Sequence, residues 1–173
     1  MLDIIFEALW IFLPAGLANG SPVLASRLPL LKEFSTPLDL GKHYRGKRLL
    51  GPNKTWRGLI VGTLVGALTA FIQSAFVTPE YSVSPLLFGG LLGFGALLGD
   101  AIESFIKRQK NVPAGESWFP FDQLDYVIGG LAVGSLIHSF SLRQIAMILV
   151  VWMAAHIVSV YVFFLLGVRD KPI

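Results

Sequence analysis

Gly99-Asp100-Ala101-Ile102-Glu103-Ser104-Phe105-Ile106-Lys107-Arg108 closes a long apolar run that begins at Pro85, and its reading decides the fold. After a short basic and polar loop, Phe119-Pro120-Phe121-Asp122-Gln123-Leu124-Asp125-Tyr126 opens a second apolar run. Two hydrophobic helices therefore meet at a loop with acids on both sides. An ionisable group inside a membrane span costs about 2.5–3.5 kcal/mol on insertion scales, so such groups are functional by default. The carboxylates of Asp100, Glu103, Asp122 and Asp125, clustered this way, suggest a metal site facing the membrane interior or a cavity in it.

The rest of the chain has the composition such helices need. Of its 173 residues, 54% are hydrophobic and 14% charged, and the mean hydropathy is +0.66. This is the profile of an all-α polytopic membrane protein and excludes an ordinary soluble domain. There is no cysteine, hence neither a disulfide framework nor a thiol nucleophile. His43, His138 and His156 lack metal-ligand spacing, and the last two lie in apolar runs where packing or interfacial hydrogen bonding accounts for them. No Lys or Arg precedes the first apolar run and no small-residue cleavage site follows it, so it reads as a span and not as a signal peptide. Without an internal repeat or a second domain, residues 1–173 read as one integral-membrane domain.

A span needs about 20 apolar residues. Five runs qualify, near Leu2–Val23, Leu59–Val77, Pro85–Ile106, Phe121–Phe140 and Gln144–Gly167. In the first, Pro14, Gly16 and Asn19 permit a kink, and Ser21-Pro22 suggests an end. The basic residues orient the bundle. Eight lie between Arg27 and Arg57, three are Lys107, Arg108 and Lys110, two are Arg169 and Lys171, and only Arg143 falls on the other side. By the positive-inside rule the crowded side is cytoplasmic, the N-terminus is outside and the C-terminus is inside. The pI near 9.3 records this asymmetry and calls for no nucleic-acid partner.

Glycines recur at four-residue spacing within the spans: Gly58, Gly62 and Gly66, then Gly89/Gly93, Gly95/Gly99 and Gly130/Gly134. This is the small-xxx-small pattern of closely approaching helices. A phosphate-cradling glycine loop would follow a strand, and none precedes these.

The acids have a common depth. With the third span starting at Pro85, Asp100 lies roughly 22 Å along the helix axis, inside a hydrocarbon core about 30 Å thick. Asp100, Glu103, Ser104 and Lys107 fall at i, i+3, i+4 and i+7, one face of a helix. Asp122 and Asp125 fall at i, i+3 on the antiparallel neighbour. Hard oxygen donors of this kind suit Mg²⁺ or Mn²⁺, and such ions can clamp both oxygens of a phosphoryl or nucleotidyl transfer. Two simpler roles stand beside this one: Asp122 as a helix N-terminal charge and Glu103 as an i, i+4 partner of Lys107.

The first large loop supplies the opposite charge. Gly41-Lys42-His43-Tyr44-Arg45-Gly46-Lys47-Arg48 is basic and glycine-rich, so it can close over a polyphosphate, and it also fits a topology determinant and headgroup patch. Gly51-Pro52-Asn53-Lys54-Thr55-Trp56-Arg57-Gly58 abuts a span, and Asn53, Lys54, Thr55 and Arg57 are candidate ligands for a polyphosphate.

These motifs resemble the signature of the CTP:phosphatidate cytidylyltransferases. Together with Asn19-Gly20-Ser21-Pro22 and Gly51–Gly58, the chain is more similar to the short archaeal branch, the CDP-archaeol synthases. The resemblance covers most of the chain and implies Asp100, Asp122 and Asp125 as metal-binding and catalytic acids. It further implies that Ser104, Lys107 and Arg108 bind nucleotide and phosphate. Lys110-Asn111 stands where the bacterial pattern has Lys-Asp, Trp118-Phe119-Pro120 where it has His-Gly-Gly, and Gln123 where it has Arg. These departures favour the archaeal substrate. The resemblance implies transfer of CMP from CTP to an isoprenoid ether glycerol phosphate carrying geranylgeranyl chains, with Mg²⁺ as cofactor (Mn²⁺ as substitute), in membrane lipid biosynthesis. A transporter or flippase for an anionic lipid or phosphate is the alternative; it would show repeated halves, which this sequence lacks. A CDP-alcohol phosphotransferase would show an Asp-Gly motif with later spaced aspartates on one helix, also absent.

Overall fold

The computed structural model describes residues 2–77, 81, 83–113 and 116–165. The expected tail residues Arg169 and Lys171, the end of the last span at Gly167, and part of the 78–84 loop lie outside them. Among the described residues, six helices and a two-stranded hairpin follow one another: α1 (Leu2–Arg27), α2 (Pro29–Lys32), β1 (His43–Tyr44), β2 (Lys47–Arg48), α3 (Trp56–Gln73), α4 (Pro85–Gln109), α5 (Phe121–Gly134) and α6 (Leu142–Leu165).

α1 continues past both of its prolines, to four residues beyond the end expected at Val23. Pro22 has no N–H for the carbonyl four residues back. The Ser21 hydroxyl donates to that carbonyl, Ala18 O, at 2.9 Å, so Ser21-Pro22 continues the helix instead of ending it. Cap chemistry sets other boundaries. Thr55 Oγ1 accepts from Gly58 N at 3.1 Å to start α3, and Ser84 Oγ accepts from Leu87 N at 3.3 Å to start α4. Lys107 and Arg108 occupy the last turn of α4, where the helix dipole favours cations.

The long helices alternate in direction. Glycine backbones bring them together where any side chain would separate them. A Cβ built on Gly66 would meet Gly89 O at 2.5 Å, and one on Gly95 would meet Gly129 O at 2.6 Å. One on Gly99 would strike Asp125 O. The expected packing role of these glycines is thus met at backbone contact. α6 closes the bundle against α1 and α5. Trp152 stacks edge-on against Phe12 at 5.8 Å, its indole N–H donates to Ala8 O at 3.0 Å, and its carbonyl accepts from Tyr126 OH at 3.1 Å. Phe12, Phe88, Leu92, Val127 and Ile148 fill the core. Outward-facing Phe6, Leu64, Leu68, Ile102, Val150 and Val158 are exposed, as a lipid-facing surface requires.

Among the described residues, four helices are long and apolar enough to cross a membrane: Asp3–Arg27, Trp56–Gln73, Pro85–Gln109 and Leu142–Val162. The bundle is that of a polytopic membrane protein. The span expected over Phe121–Phe140 is a helix of only 14 residues, about 21 Å long at the α-helical rise. The chain leaves it at Ser135 and turns back, so that His138 and Phe140 pack edge-on at 4.7 Å and His138 meets Phe88 at 5.8 Å.

Candidate functional site: an acid–lysine centre at the charged end

The charged end gathers the C-terminus of α4, the N-terminus of α5 and the loop between α2 and α3. Backbone contact at Gly99 places Asp125 directly across from the residue beside Asp100. The Asp125 carboxylate is in electrostatic range of Asp100, Glu103 and Lys54. The two helices thus bring Asp125 within electrostatic range of the acids of α4.

Each half of the cluster holds a lysine. Lys54 Nζ donates to Asp100 Oδ2 at 2.6 Å, with both side chains partly open to solvent. Lys107 is buried. It donates to Asp122 Oδ1 at 2.6 Å and to Glu116 O at 2.8 Å, and pairs with Glu103 Oε1 at 3.3 Å. Asp122 Oδ2 also accepts from Trp118 N at 2.8 Å, so Asp122 fixes the end of the α4–α5 loop. The expected Glu103–Lys107 pair is present, and Lys107 additionally bridges the two helices.

The other expected ligands divide. Asn53 is exposed beside Lys54. Thr55 is buried and spends its hydroxyl on the α3 cap. Arg57 is buried and donates through Nη1 to Leu31 O at 3.0 Å and Lys32 O at 3.2 Å. Ser104 is buried on α4. Arg108 is half-buried, with its Nε unpartnered among the described groups.

The donor set fits a hard divalent cation in chemistry: carboxylates only, two from each helix, with Glu103 Oε1 buried and held by the Lys107 ammonium alone at 3.3 Å. Among the described residues no three acidic or histidine side chains converge in one ready-made cage. The two lysines stand where neutralising charge is needed.

Sequence reasoning missed Asp39. Its carboxylate is fully enclosed. Oδ1 accepts from Gly41 N at 2.9 Å and Arg48 Nη2 at 3.3 Å; Oδ2 accepts from Arg48 Nε at 3.2 Å and from Leu50 N and Gly51 N at 3.0 Å each. Burial alone would raise its pKa, but these donors hold the carboxyl well below the usual carboxylate range. Asp followed two residues on by Gly is the signal that could have found it, as an Asx turn.

With this geometry in view, comparison with known proteins gives the class. A solved structure described as an intramembrane enzyme for archaeal membrane lipids biosynthesis aligns with a TM-score of 0.77 and 29% identity, over 90% of this chain and 93% of that one. The bundle is that of a membrane-embedded lipid enzyme. The family model described as CarS-like, CDP-archaeol synthase, matches residues 1–173. A CDP-archaeol synthase of Thermococcus kodakarensis is 40% identical, covering 99% of this chain and 98% of that protein. One of Methanocaldococcus jannaschii is 34% identical over 96% of each. The chain belongs to the CDP-archaeol synthase family.

Proposed function

We propose that this protein transfers CMP from CTP to an isoprenoid ether glycerol phosphate in the membrane, giving CDP-archaeol and pyrophosphate. The observation that carries the reading is the convergence of Asp100, Asp125 and Lys54 at the charged end of an apolar bundle. The lipid and nucleotide identities rest on the family.

The reaction needs no covalent nucleophile on the enzyme. A phosphate monoester is largely dianionic at neutral pH, since its second pKa is about 6. Its oxygen attacks the α-phosphorus of CTP in line; that P–O bond forms as the bond to the bridging α–β oxygen breaks, and pyrophosphate departs with the electron pair. Two anions must be brought together and aligned. Lys54, which can exchange Asp100 for a phosphate oxygen, supplies mobile positive charge, with Asn53 exposed beside it. Arg108 adds a fixed cation at the α4 terminus. Asp100, Asp122, Asp125 and Glu103 would hold Mg²⁺ or Mn²⁺, which when bound screens the phosphates and polarises the α-phosphorus. Lys107 keeps Asp122 and Glu103 at one depth. The transporter alternative has no support from the relatives, which are synthases.

The acid–lysine centre faces the cytoplasm in this proposal, with the N-terminus outside, on the strength of the basic asymmetry. The lipid stays in the bilayer and CTP arrives from water. The chain has no cysteine, so single cysteines report topology cleanly. One placed within 78–84 should react with an impermeant thiol reagent on sealed cells and one at Lys42 should not; the reverse pattern inverts the orientation. For the activity, purified protein is given radiolabelled CTP or ATP with ether or diacyl glycerol phosphates. Label should pass from CTP to the ether lipid. Equal use of ATP, or of the diacyl lipid, would refute the assigned substrates.

A further inference from the structure

We infer that Asp39 is a positioning residue for Lys54: the loop built around its carboxylate sets where that ammonium stands, without Asp39 touching either substrate. The inference rests on the reading of Lys54 as part of the transfer site.

The chain from Thr36 to Arg57 is folded back on itself and tied at both ends. Leu38 N donates to Lys54 O at 2.7 Å and Trp56 N to Thr36 O at 3.0 Å, with a bridge between Pro37 and Thr55. These bonds hold the Lys54 backbone against the residues just before Asp39. Asp39 then holds Leu50 and Gly51 from the other side. Only Pro52 and Asn53 separate Gly51 from Lys54, so the backbone on both flanks of Lys54 is pinned to Thr36–Asp39. Gly51 has φ +98°, a conformation that a side chain would resist. Within the loop, Arg45 and Gly46 have φ of 52° and 76°, the pair of positive angles of a tight hairpin turn. That turn presents Arg48 to the Asp39 carboxylate, and Lys47 Nζ to Gln109 O at the end of α4 at 2.5 Å. Arg57 anchors the base through Leu31 O and Lys32 O. The loop is thus fixed to α4 at one end and to α2 at the other. From that frame Lys54 reaches Asp100 at 2.6 Å. A carboxylate with no exposed surface and five donors is spent; it cannot bind nucleotide or metal, but it can decide where its neighbours stand.

The test compares Asp39→Asn and Asp39→Glu with wild type, alone and in a Lys54→Ala background. Asp39→Asn keeps the shape and loses the charge; Asp39→Glu keeps the charge and lengthens the arm. Asp39→Asn should lower kcat/KM for CTP about 10- to 100-fold, the range for a small misplacement of a reacting group, while KM for the lipid stays within about threefold. In the Lys54→Ala background the same substitution should change kcat/KM less than about threefold, because residues acting through one another are not additive. Where Lys54→Ala leaves too little turnover to measure, CTP binding by calorimetry runs the same cycle. Hydrogen exchange should quicken at Leu50 and Gly51 and stay unchanged in α3 and α4. Full activity in Asp39→Asn, or a loss equally large with and without Lys54, would overturn the inference. Failure of the wild type to make a CDP-lipid would instead refute the proposed function, and the exchange and CTP-binding measurements would still decide the role of Asp39.

Discussion

Lys54 and Asp100, 46 positions apart in sequence, stand 2.6 Å from one another at the charged end of the bundle. The pair joins a loop to a membrane helix, and it places a cation on a carboxylate that the proposed chemistry gives to a metal. In that proposed chemistry lysine and metal would compete for Asp100. Lys54→Gln should lower kcat about 10- to 100-fold yet reduce the Mg²⁺ concentration needed for half-maximal activity. A higher Mg²⁺ requirement in the variant would contradict this competition.

Asp100→Asn, Asp122→Asn and Asp125→Asn should each reduce turnover at least about 100-fold, as loss of a preorganised charged group does, while the protein remains folded in detergent. Asp125→Asn should raise the thermal midpoint, because its carboxylate faces those of Asp100 and Glu103. Glu103→Gln should be milder. Activity should vanish with chelator and return with Mg²⁺. Wild-type rates in the aspartate variants, or full activity in chelator, would remove the acids from the chemistry.

Lys107→Ala should cost stability as well as activity. It would leave Glu103 and Asp122 without their shared partner, a loss of about 3 kcal/mol for a buried pair broken on one side. A variant with an unchanged unfolding midpoint and a raised KM for CTP would assign Lys107 to nucleotide contact alone, the role that the family resemblance implies.

The sequence periodicity made Asp100, Glu103 and Lys107 legible as one helix face, because a helix repeats at a fixed angle and needs no partner to do so. The glycine pairs were legible for the same reason. The Lys54–Asp100 contact was not, since a loop path has no period. Thr55 and Arg57 illustrate a second limit. Residues beside a helix start have two sets of customers, ligands and the helix's own terminal groups, and here the cap and the carbonyls of α2 take both side chains. The early end of α5 was hidden because Leu136 and Ile137 continue the apolar run; only tertiary packing of His138 and Phe140 shows that the chain has turned.

Asp39 links stability to pH. Its folded-state pKa is depressed by Arg48 and backbone N–H groups, so its contribution is present above the ordinary carboxylate pKa of about 3.9 and fades as pH falls through the lower folded value. Asp39→Asn should therefore lower the thermal midpoint at neutral pH, and the gap to wild type should narrow below about pH 4. A gap independent of pH would separate the shape of the side chain from its charge.

Gly99→Ala should force α4 away from Asp125 O, with a cost of about 1–3 kcal/mol typical of overpacking and a loss of turnover greater than that of Ala101→Gly nearby. Equal stability and activity to wild type would mean that the two backbones can part without consequence.

α4 touches α3 through Gly66 and Gly89 and α5 through Gly95, Gly99 and Gly129, backbone against backbone on both edges. At these contacts no rotamer intervenes, so the wall that carries the acids is held there by main chain. The distance between the two helices that carry the acids is inherited with the main chain at Gly99 and Gly129. The freedom of movement at this end lies in side chains outside the wall, such as the long arm of Lys54 that reaches Asp100 from the loop before α3. The membrane half of the centre is an anvil, and what reaches over it is a single lysine arm on a tethered loop.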